Sequence, residues 1–214
     1  MAAVNWTYFN SKSFTLIVLC ACNSGNADID AANNGTQDGN HTTRDGAITD
    51  VPGGVGEPAS LAGMTLYHNQ VRAMVDTTGI AAGPLPPLQW DPNLASYAAA
   101  WAAMCQDTQA PMGLIDHDPN RVGVVAPYPY IGENIYASGG TATAMAAVTL
   151  WAAEKQNFTY PNTCPSNNCG HYTQIVWRTT THVGCALQNC PALAYPSSIV
   201  CDYGPGGNSG GAPY

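Results

Sequence analysis

Charged residues are scarce in this chain, at 9% of 214 residues, and positive charges are the scarcest. Six Lys and Arg stand against 14 Asp and Glu, which gives a formal net charge of −8. No cluster of basic residues exists to neutralise nucleic-acid phosphates or to bind an anionic lipid surface. The composition therefore argues against a nucleic-acid partner and against electrostatic docking on membranes.

Long hydrophobic runs and two short chemical motifs are also missing. The apolar run Phe14–Ala21 is far shorter than the roughly 20 residues that span a bilayer. The chain has no HExxH zinc-protease motif and no CxxC pair. It also lacks the alternation of strands and helices that a doubly wound parallel sheet requires.

The first 22 residues are predicted to be a targeting segment that takes no part in the fold. Leu19–Cys22 (LCAC) resembles a bacterial lipobox, in which Cys22 becomes the lipidated first residue after cleavage. An ordinary secretory signal is the alternative interpretation. Both place the protein outside the cytoplasm, either secreted or anchored to a bacterial membrane by acyl chains alone.

Residues 23–59 are rich in Asn, Gly, Asp, Thr and Ala and contain almost no large apolar side chain. Such a segment buries too little surface to offset the entropy that it would lose on ordering. We predict a flexible linker here. The remaining residues, 60–214, are numerous enough for one domain with a substantial core.

Three helices are predicted from spacing and capping. Residues 64–75 repeat apolar side chains every three or four positions, as an amphipathic helix does. Asp91 is a suitable N-cap for a second helix, with Pro92 at the first helical position. Residues 141–158 again show helical spacing and form the third helix.

Alternation with a period of two predicts strands in the C-terminal part. His171–Trp177 alternates in this way and is rich in β-branched and aromatic residues. Val183–Leu187 is predicted to be the returning strand, and Ser198–Tyr203 a third, antiparallel strand. We expect a small antiparallel sheet, with His171 at the start of the first of these strands.

Five motifs, in order along the chain, support a family resemblance. They are LYHNQVRA (66–73), GEN (132–134), Trp151 followed three residues later by Glu154, GHYTQIVW (170–177) and YGPGGN (203–208). On these motifs the chain resembles the CAP superfamily of cysteine-rich secretory proteins, antigen-five venom proteins and plant pathogenesis-related group-one proteins. The resemblance implies an α+β fold, a three-layer α-β-α sandwich with a central, mostly antiparallel sheet and stabilising disulfides. Gly206 departs from the pattern, because a second proline is common at that position.

The resemblance also implies a cleft with two histidines and two glutamates, namely His68, Glu133, Glu154 and His171. His68 and His171 are the expected ligands of a divalent cation such as Zn²⁺. Without the resemblance, the favoured interpretation of His68 is a boundary histidine that is hydrogen-bonded to the edge of the core. Asp116–Asp118 includes another histidine, His117, but three successive side chains do not readily face one point. We therefore interpret that triplet as loop polarity.

Eight cysteines divide into two groups. Two lie in the targeting segment, and the other six are Cys105, Cys164, Cys169, Cys185, Cys190 and Cys201. In an exported chain an even number predicts disulfides, with a zinc–thiolate cluster as the alternative, and sequence alone leaves the pairing open. The family resemblance implies Cys105–Cys190, Cys164–Cys169 and Cys185–Cys201.

Two classes of function remain open. The resemblance favours a non-catalytic extracytoplasmic binding module for a lipid, a small hydrophobic ligand or a protein partner, because relatives are implicated in such interactions. Paired histidines and carboxylates also suit a metal-dependent hydrolase, such as a peptidase with a glutamate as base. We expect a monomer, and no cofactor other than Zn²⁺ or another divalent cation.

Substituting Cys22 by Ser is expected to abolish acylation and to release the protein from membranes, because the Cys22 thiol is the predicted attachment point. Fractionation of cells that express the wild type or Cys22→Ser measures this, with Cys20→Ser as the matched control that keeps the thiol at position 22. Membrane partition that persists in Cys22→Ser contradicts the lipoprotein interpretation.

Overall fold

Helices cover both faces of a four-stranded sheet in the computed structural model, which describes residues 55–80 and 82–214. Cys22, the rest of the predicted targeting segment and most of the predicted linker lie outside the described residues. The α-helices are α1 (Met64–Ala73), α2 (Pro92–Ala102), α3 (Ala144–Ala153) and α4 (Gly170–Ile175). The strands are β1 (Gln89–Trp90), β2 (Gly132–Ser138), β3 (His182–Asn189) and β4 (Ser197–Gly204). Short 3₁₀ helices span Ala59–Leu61 and Glu154–Asn157.

The sheet is mostly antiparallel, in the order β1-β3-β4-β2. β4 pairs antiparallel with both β3 and β2, whereas β1 runs parallel to β3. Side chains alternate between the two faces of a strand. Val200 therefore belongs to the same buried cluster as Ala98 and Trp101 of α2, while its neighbour Ile199 clusters with Trp151 of α3. The expected three-layer α-β-α sandwich is confirmed.

Asp91 begins α2, as predicted. Its carboxylate accepts hydrogen bonds from the backbone N–H groups of Asn93 (2.7 Å) and Leu94 (3.4 Å), and Pro92 takes the first helical position. Gly184 on β3 allows the helix to come close, because a Cβ atom there would collide with the backbone of Asp91 and of the helix. The α2 layer therefore lies directly on the sheet.

The strand predicted at His171–Trp177 is wrong, because most of this stretch forms helix α4. Residues 172–177 are all buried, so the alternation of polar and apolar residue types does not mark an inner and an outer face. The Thr173 N–H donates to the Cys169 carbonyl at 2.9 Å, and the Val176 N–H donates to Tyr172 at 3.1 Å. The strands predicted at 183–187 and 198–203 are confirmed as parts of β3 and β4.

Three disulfides join the elements: Cys105–Cys190, Cys164–Cys169 and Cys185–Cys201. This pairing matches the one that the family resemblance implies. Cys185 and Cys201 are directly opposite each other on β3 and β4. The Cys105–Cys190 disulfide ties the segment after α2 to the residue after β3. No helix among residues 55–80 and 82–214 is both long and apolar enough to cross a membrane.

His68 lies inside the core, so the expectation that placed it in a cleft with a metal is wrong. Its side chain is fully buried on α1. Nδ1 donates to the Met64 carbonyl oxygen at 2.8 Å, so Nε2 accepts a hydrogen bond from the Tyr203 hydroxyl at 2.7 Å. The Tyr203 oxygen in turn accepts from Asn134 Nδ2 at 3.0 Å. Both ring nitrogens are therefore used, and His68 has no lone pair for a metal.

Removing one disulfide at a time is expected to lower the free energy of unfolding in the order of loop length. The sequence separations are 85, 16 and 5 residues. Chain entropy then predicts losses of about 4–5 kcal/mol for Cys105–Cys190, about 3 for Cys185–Cys201 and about 2 for Cys164–Cys169. Paired Cys→Ala variants in guanidinium denaturation measure the series, with the shortest loop as the matched control. Equal losses of unfolding free energy in the three variants would contradict an origin in the chain entropy of the unfolded state.

Acid is expected to destabilise the protein through His68. Burial is the main cause that lowers the pKa of His68 from 6.5 to about 4. The unfolded chain binds this proton more readily, so stability that is present above pH 6.5 is lost as the pH falls toward 4. The loss amounts to about 3 kcal/mol, at roughly 1.4 kcal/mol per pKa unit. Denaturant unfolding of the wild type and of His68→Gln, each at pH 6.5 and at pH 4, measures this change in the free energy of unfolding.

His182 provides the matched control for this pH dependence, because it is only half-buried whereas His68 is fully buried. His182→Gln should keep the acid-induced loss of the wild type. In His68→Gln the drop in the free energy of unfolding between pH 6.5 and pH 4 should be smaller by the His68 contribution. A drop as large as that of the wild type would show that the buried imidazole is not its source.

Candidate functional site

One histidine–glutamate pair joins α4 to the segment after α3. His171 Nδ1 is 2.7 Å from Glu154 Oε1. The other oxygen, Oε2, accepts from the backbone N–H groups of His171 (2.9 Å) and Tyr172 (3.3 Å). Burial alone would raise the pKa of Glu154, but the hydrogen bonds from His171 and the α4 N–H groups outweigh it and lower the pKa. Glu154 is thus an ionised cap on α4 that also fixes the His171 ring.

A second pair joins β2 to the loop before it. His117 Nδ1 is 2.5 Å from Glu133 Oε1, and the Asp118 N–H donates to the same oxygen at 3.1 Å. The Glu133 side chain is 1% exposed, whereas the His117 side chain is 53% exposed. A buried carboxylate therefore holds an imidazole that reaches the surface.

The two imidazoles meet at β2, an edge strand of the described sheet. The ring centroids of His117 and His171 are 6.4 Å apart, with 28° between the ring planes. Both rings and both glutamates line one cavity of about 350 Å³, which we call the cleft. The rest of its wall is mainly polar and includes Arg121, Tyr130, Asn134, Asn167, Asn168 and Asn208. Because side chains alternate along β2, Glu133 lies on the face of the sheet that α2 covers. The wall of the cleft therefore contains residues from both outer layers.

Aromatic packing and one amide fix the orientation of His171. The Trp151 ring of α3 stacks near the His171 ring, with centroids 6.1 Å apart and 23° between the planes. Trp151 Nε1 donates to the Ile135 carbonyl of β2 at 3.1 Å. Asn134 Nδ2, also on β2, donates to the His171 carbonyl at 3.1 Å. Helix α3 and strand β2 therefore both hold His171, in addition to Glu154.

The structure brings three of the four expected cleft residues together: Glu133, Glu154 and His171. It does not bring His68 there. His117 occupies the place that the sequence interpretation gave to His68, so its assignment to loop polarity is wrong. His68 still supports the cleft from within, because the hydrogen-bond chain that starts on it ends at Asn134, which binds the His171 carbonyl.

A signal for His117 exists in the two neighbours of this residue. Asp116 turns away and accepts from the Thr108 N–H at 2.7 Å, and Asp118 accepts from the Tyr97 hydroxyl at 2.7 Å. The three side chains do not face one point, as expected. Because the two aspartates have other partners, His117 is the member of the triplet that binds Glu133 through its side chain. Interpreting the three residues as one group misses this separate role.

The donor chemistry of the cleft fits a cation with two protein ligands. Both imidazoles have Nδ1 on a carboxylate, and no described residue makes a hydrogen bond to either Nε2. Zinc-binding histidines usually donate their other ring N–H to such a partner. The described residues contain no group of three or more His, Cys, Asp or Glu side chains arranged to hold a metal ion. Water or a ligand would therefore have to complete the coordination.

Sequence comparisons place these features in a family. Residues 66–203 match the model of the cysteine-rich secretory protein family, CAP. GLIPR1-like protein 1 of Mus musculus is 35% identical over 158 residues, which cover 71% of this chain and 62% of that protein. This chain thus spans less than two thirds of that relative. Pathogenesis-related protein 1 of Arabidopsis thaliana is 39% identical over 142 residues, covering 66% of this chain and 73% of that protein.

A solved structure supports the same assignment. Venom allergen-like protein 4 of Schistosoma mansoni matches with a TM-score of 0.58 and 27% identity, covering 74% of this chain and 95% of that chain. The region that matches the family model, residues 66–203, contains all four α-helices and the sheet, apart from the first two residues of α1 and the last residue of β4. The protein belongs to the cysteine-rich secretory protein (CAP) family.

Proposed function

We propose that the protein is a non-catalytic, extracytoplasmic binding module whose cleft holds a divalent cation together with a polar ligand. The observation that carries the proposal is the arrangement of His117 and His171. A glutamate binds Nδ1 of each ring, and both rings line the same cavity. Imidazoles that are fixed in this way keep Nε2 available for coordination.

The cation would be held by Nε2 of His117 and His171, with Glu133 and Glu154 orienting the rings. Imidazole ligands suit zinc and copper better than calcium or magnesium. A bound zinc ion supplies a Lewis-acid centre that attracts an oxygen atom of a ligand. Because each ligating ring must lose any proton on Nε2, binding should weaken as the pH falls.

The cleft wall favours a polar ligand. Arg121 lies over the Tyr130 ring, with its guanidinium carbon 5.9 Å from the centroid. Asn168 and Asn208 add amide donors and acceptors to the same cavity. Few apolar groups are present to receive an acyl chain. A lipid, small hydrophobic ligand or protein partner, as expected from the family resemblance, stays a prediction for other surfaces of the molecule.

Hydrolysis in the same cleft with a glutamate as base is the alternative, and neither cleft glutamate is free to act as that base. Both oxygens of Glu154 accept hydrogen bonds from N–H groups, and the Glu133 side chain is buried. The letters of Gly207–Gly211 fit a G-x-S-x-G pattern, but Ser209 lies in an exposed loop after β4. A nucleophile of that type sits on a turn between a strand and a helix. These features support binding over catalysis.

The extracytoplasmic part of the proposal is supported by the disulfides. Three of them in one domain are typical of an oxidising compartment outside the cytoplasm. The lipid anchor at Cys22 belongs to the proposal on sequence grounds, and this residue lies outside the described part of the chain.

Zinc titration by calorimetry tests the cleft. The wild type is expected to bind one zinc ion, and His117→Ala and His171→Ala should each weaken binding by at least about tenfold, because each removes a ligand. Affinity should also fall with the pH as the rings become protonated. His182→Ala is the matched control, since His182 lies outside the cleft, and it should bind zinc like the wild type.

Three results contradict the proposal. The first is a wild type that binds no zinc, and the second is zinc binding that survives both His117→Ala and His171→Ala. The third is peptide or ester hydrolysis by the zinc-loaded protein that disappears in His171→Ala, which would establish the hydrolase instead.

A further inference from the structure

Two buried carboxylates lie side by side behind the cleft. Glu133 of β2 and Asp202 of β4 are directly opposite partners in the antiparallel pairing. Asp202 is 1% exposed. Side chains that are directly opposite on one face have Cβ atoms roughly 4.5–5.5 Å apart. The two carboxyl groups are therefore within reach of each other, next to the bond between Glu133 and His117.

Three oxygens of this carboxylate pair receive no hydrogen bond from any residue that the structure describes. Glu133 Oε1 accepts from His117 and from the Asp118 N–H, but Oε2 is buried and receives no hydrogen bond from any described residue. Both carboxyl oxygens of Asp202 are likewise buried and receive no hydrogen bond from a described residue. An ionised carboxylate can only accept, whereas a protonated one has an O–H donor. One proton on Asp202 would therefore supply the donor that Glu133 Oε2 lacks.

The charges around Asp202 favour its neutral form. Burial is the largest cause that raises its pKa well above the ordinary value, Glu133 and Asp118 add to it, and Arg121 opposes it. Tyr97 of α2 is the further titratable group that faces these acids. The β3 partner of Asp202 is a glycine and adds no charge. An ionised Asp202 would put a second negative charge opposite Glu133, which is unfavourable.

A metal ion is the other partner that buried carboxylates accept. The described residues contain no group of three or more His, Cys, Asp or Glu side chains arranged to hold one. A shared proton needs only one oxygen from each of the two side chains that the strand pairing makes neighbours, whereas a metal ion would need further ligands.

We propose that Asp202 is a neutral carboxylic acid that donates its proton in a hydrogen bond to Glu133 Oε2 and so positions Glu133 to hold His117. The proton stays on Asp202, and no covalent bond changes. Glu133 accepts this hydrogen bond through Oε2 and presents Oε1 to His117 Nδ1. Asp202 is thus a positioning residue that acts through Glu133, and this role needs no metal.

The protonated state has a defined consequence for stability. The pKa of Asp202 is raised in the folded state above its unfolded value of 3.8. The stabilising contribution is complete below the unfolded value and is lost as the pH rises through the folded pKa. The direction is opposite to that of His68, so the two effects are separable by pH.

The test uses the full chain with its disulfides intact and with metal removed by a chelator. Infrared spectra at neutral pH should show the carbonyl stretch of a protonated carboxylic acid, which shifts on ¹³C-aspartate labelling and disappears in Asp202→Asn and Asp202→Ala. In Asp202→Asn the amide N–H replaces the acid as donor, so the ¹⁵N imidazole signals of His117 should stay as in the wild type. In Asp202→Ala they should shift.

The pH dependence and a control variant complete the test. The wild-type denaturation midpoint should fall as the pH rises through the Asp202 titration, and this fall should vanish in Asp202→Asn. Ser198→Ala is the matched control, because Ser198 is another buried polar residue of β4 without a hydrogen-bond partner among the described residues. It should keep the infrared band and the pH dependence.

Two outcomes overturn the proposal. The first is a neutral-pH spectrum whose protonated-acid band is absent or survives both substitutions of Asp202. The second is stoichiometric binding of Ca²⁺, Mg²⁺ or Zn²⁺ that is lost in Asp202→Asn but kept in His171→Ala, which would make the two carboxylates a cation site. Loss of zinc binding in the cleft alone leaves the infrared result intact, so failure of the proposed function and failure of this inference are distinguishable.

Discussion

The buried guanidinium of Arg72 is the constraint on which the cleft side of the molecule depends. Arg72 is 1% exposed and donates to the carbonyl oxygens of Ile175 (2.8 Å), Trp177 (2.9 Å) and Pro86 (2.8 Å). No described carboxylate forms a salt bridge with it, so backbone carbonyls replace the water that the charge lost. Burial lowers the pKa of Arg72 to about 10, which leaves it charged at neutral pH. The segments that supply these carbonyls must therefore stay in place around α1.

Helix α4 exists because both of its ends are held. A helix of six residues is too short to be stable alone. Arg72 binds carbonyls at its C-terminal end, and Glu154 accepts N–H groups at its N-terminal end. Each charge has the sign that the helix dipole favours at that end. The position of His171 thus follows from one buried cation and one ionised acid on two other helices.

Sequence patterns predicted those elements whose signals are local. Asp91 caps α2 because cap and helix are adjacent in the chain, and β4 alternates because its two faces meet different helices. The family motifs implied the fold and the disulfide pairing. Local patterns failed for α4, which is buried from Tyr172 onward and is stabilised by Arg72 from about 100 positions away. They failed likewise for His117, whose partner Glu133 belongs to a different element.

The excess of acidic residues, which argues against nucleic-acid partners, has a structural use inside the fold. Asp91 and Glu154 cap helices, and Asp116 accepts three hydrogen bonds within its loop. Among the described residues the salt bridges are two, and both join a histidine to a glutamate. Backbone N–H groups and imidazoles thus balance the acids where Lys and Arg are scarce. Each imidazole uses Nδ1 for this purpose, so the Nε2 atoms that the proposed cation would need are the ring nitrogens that the two glutamates leave free.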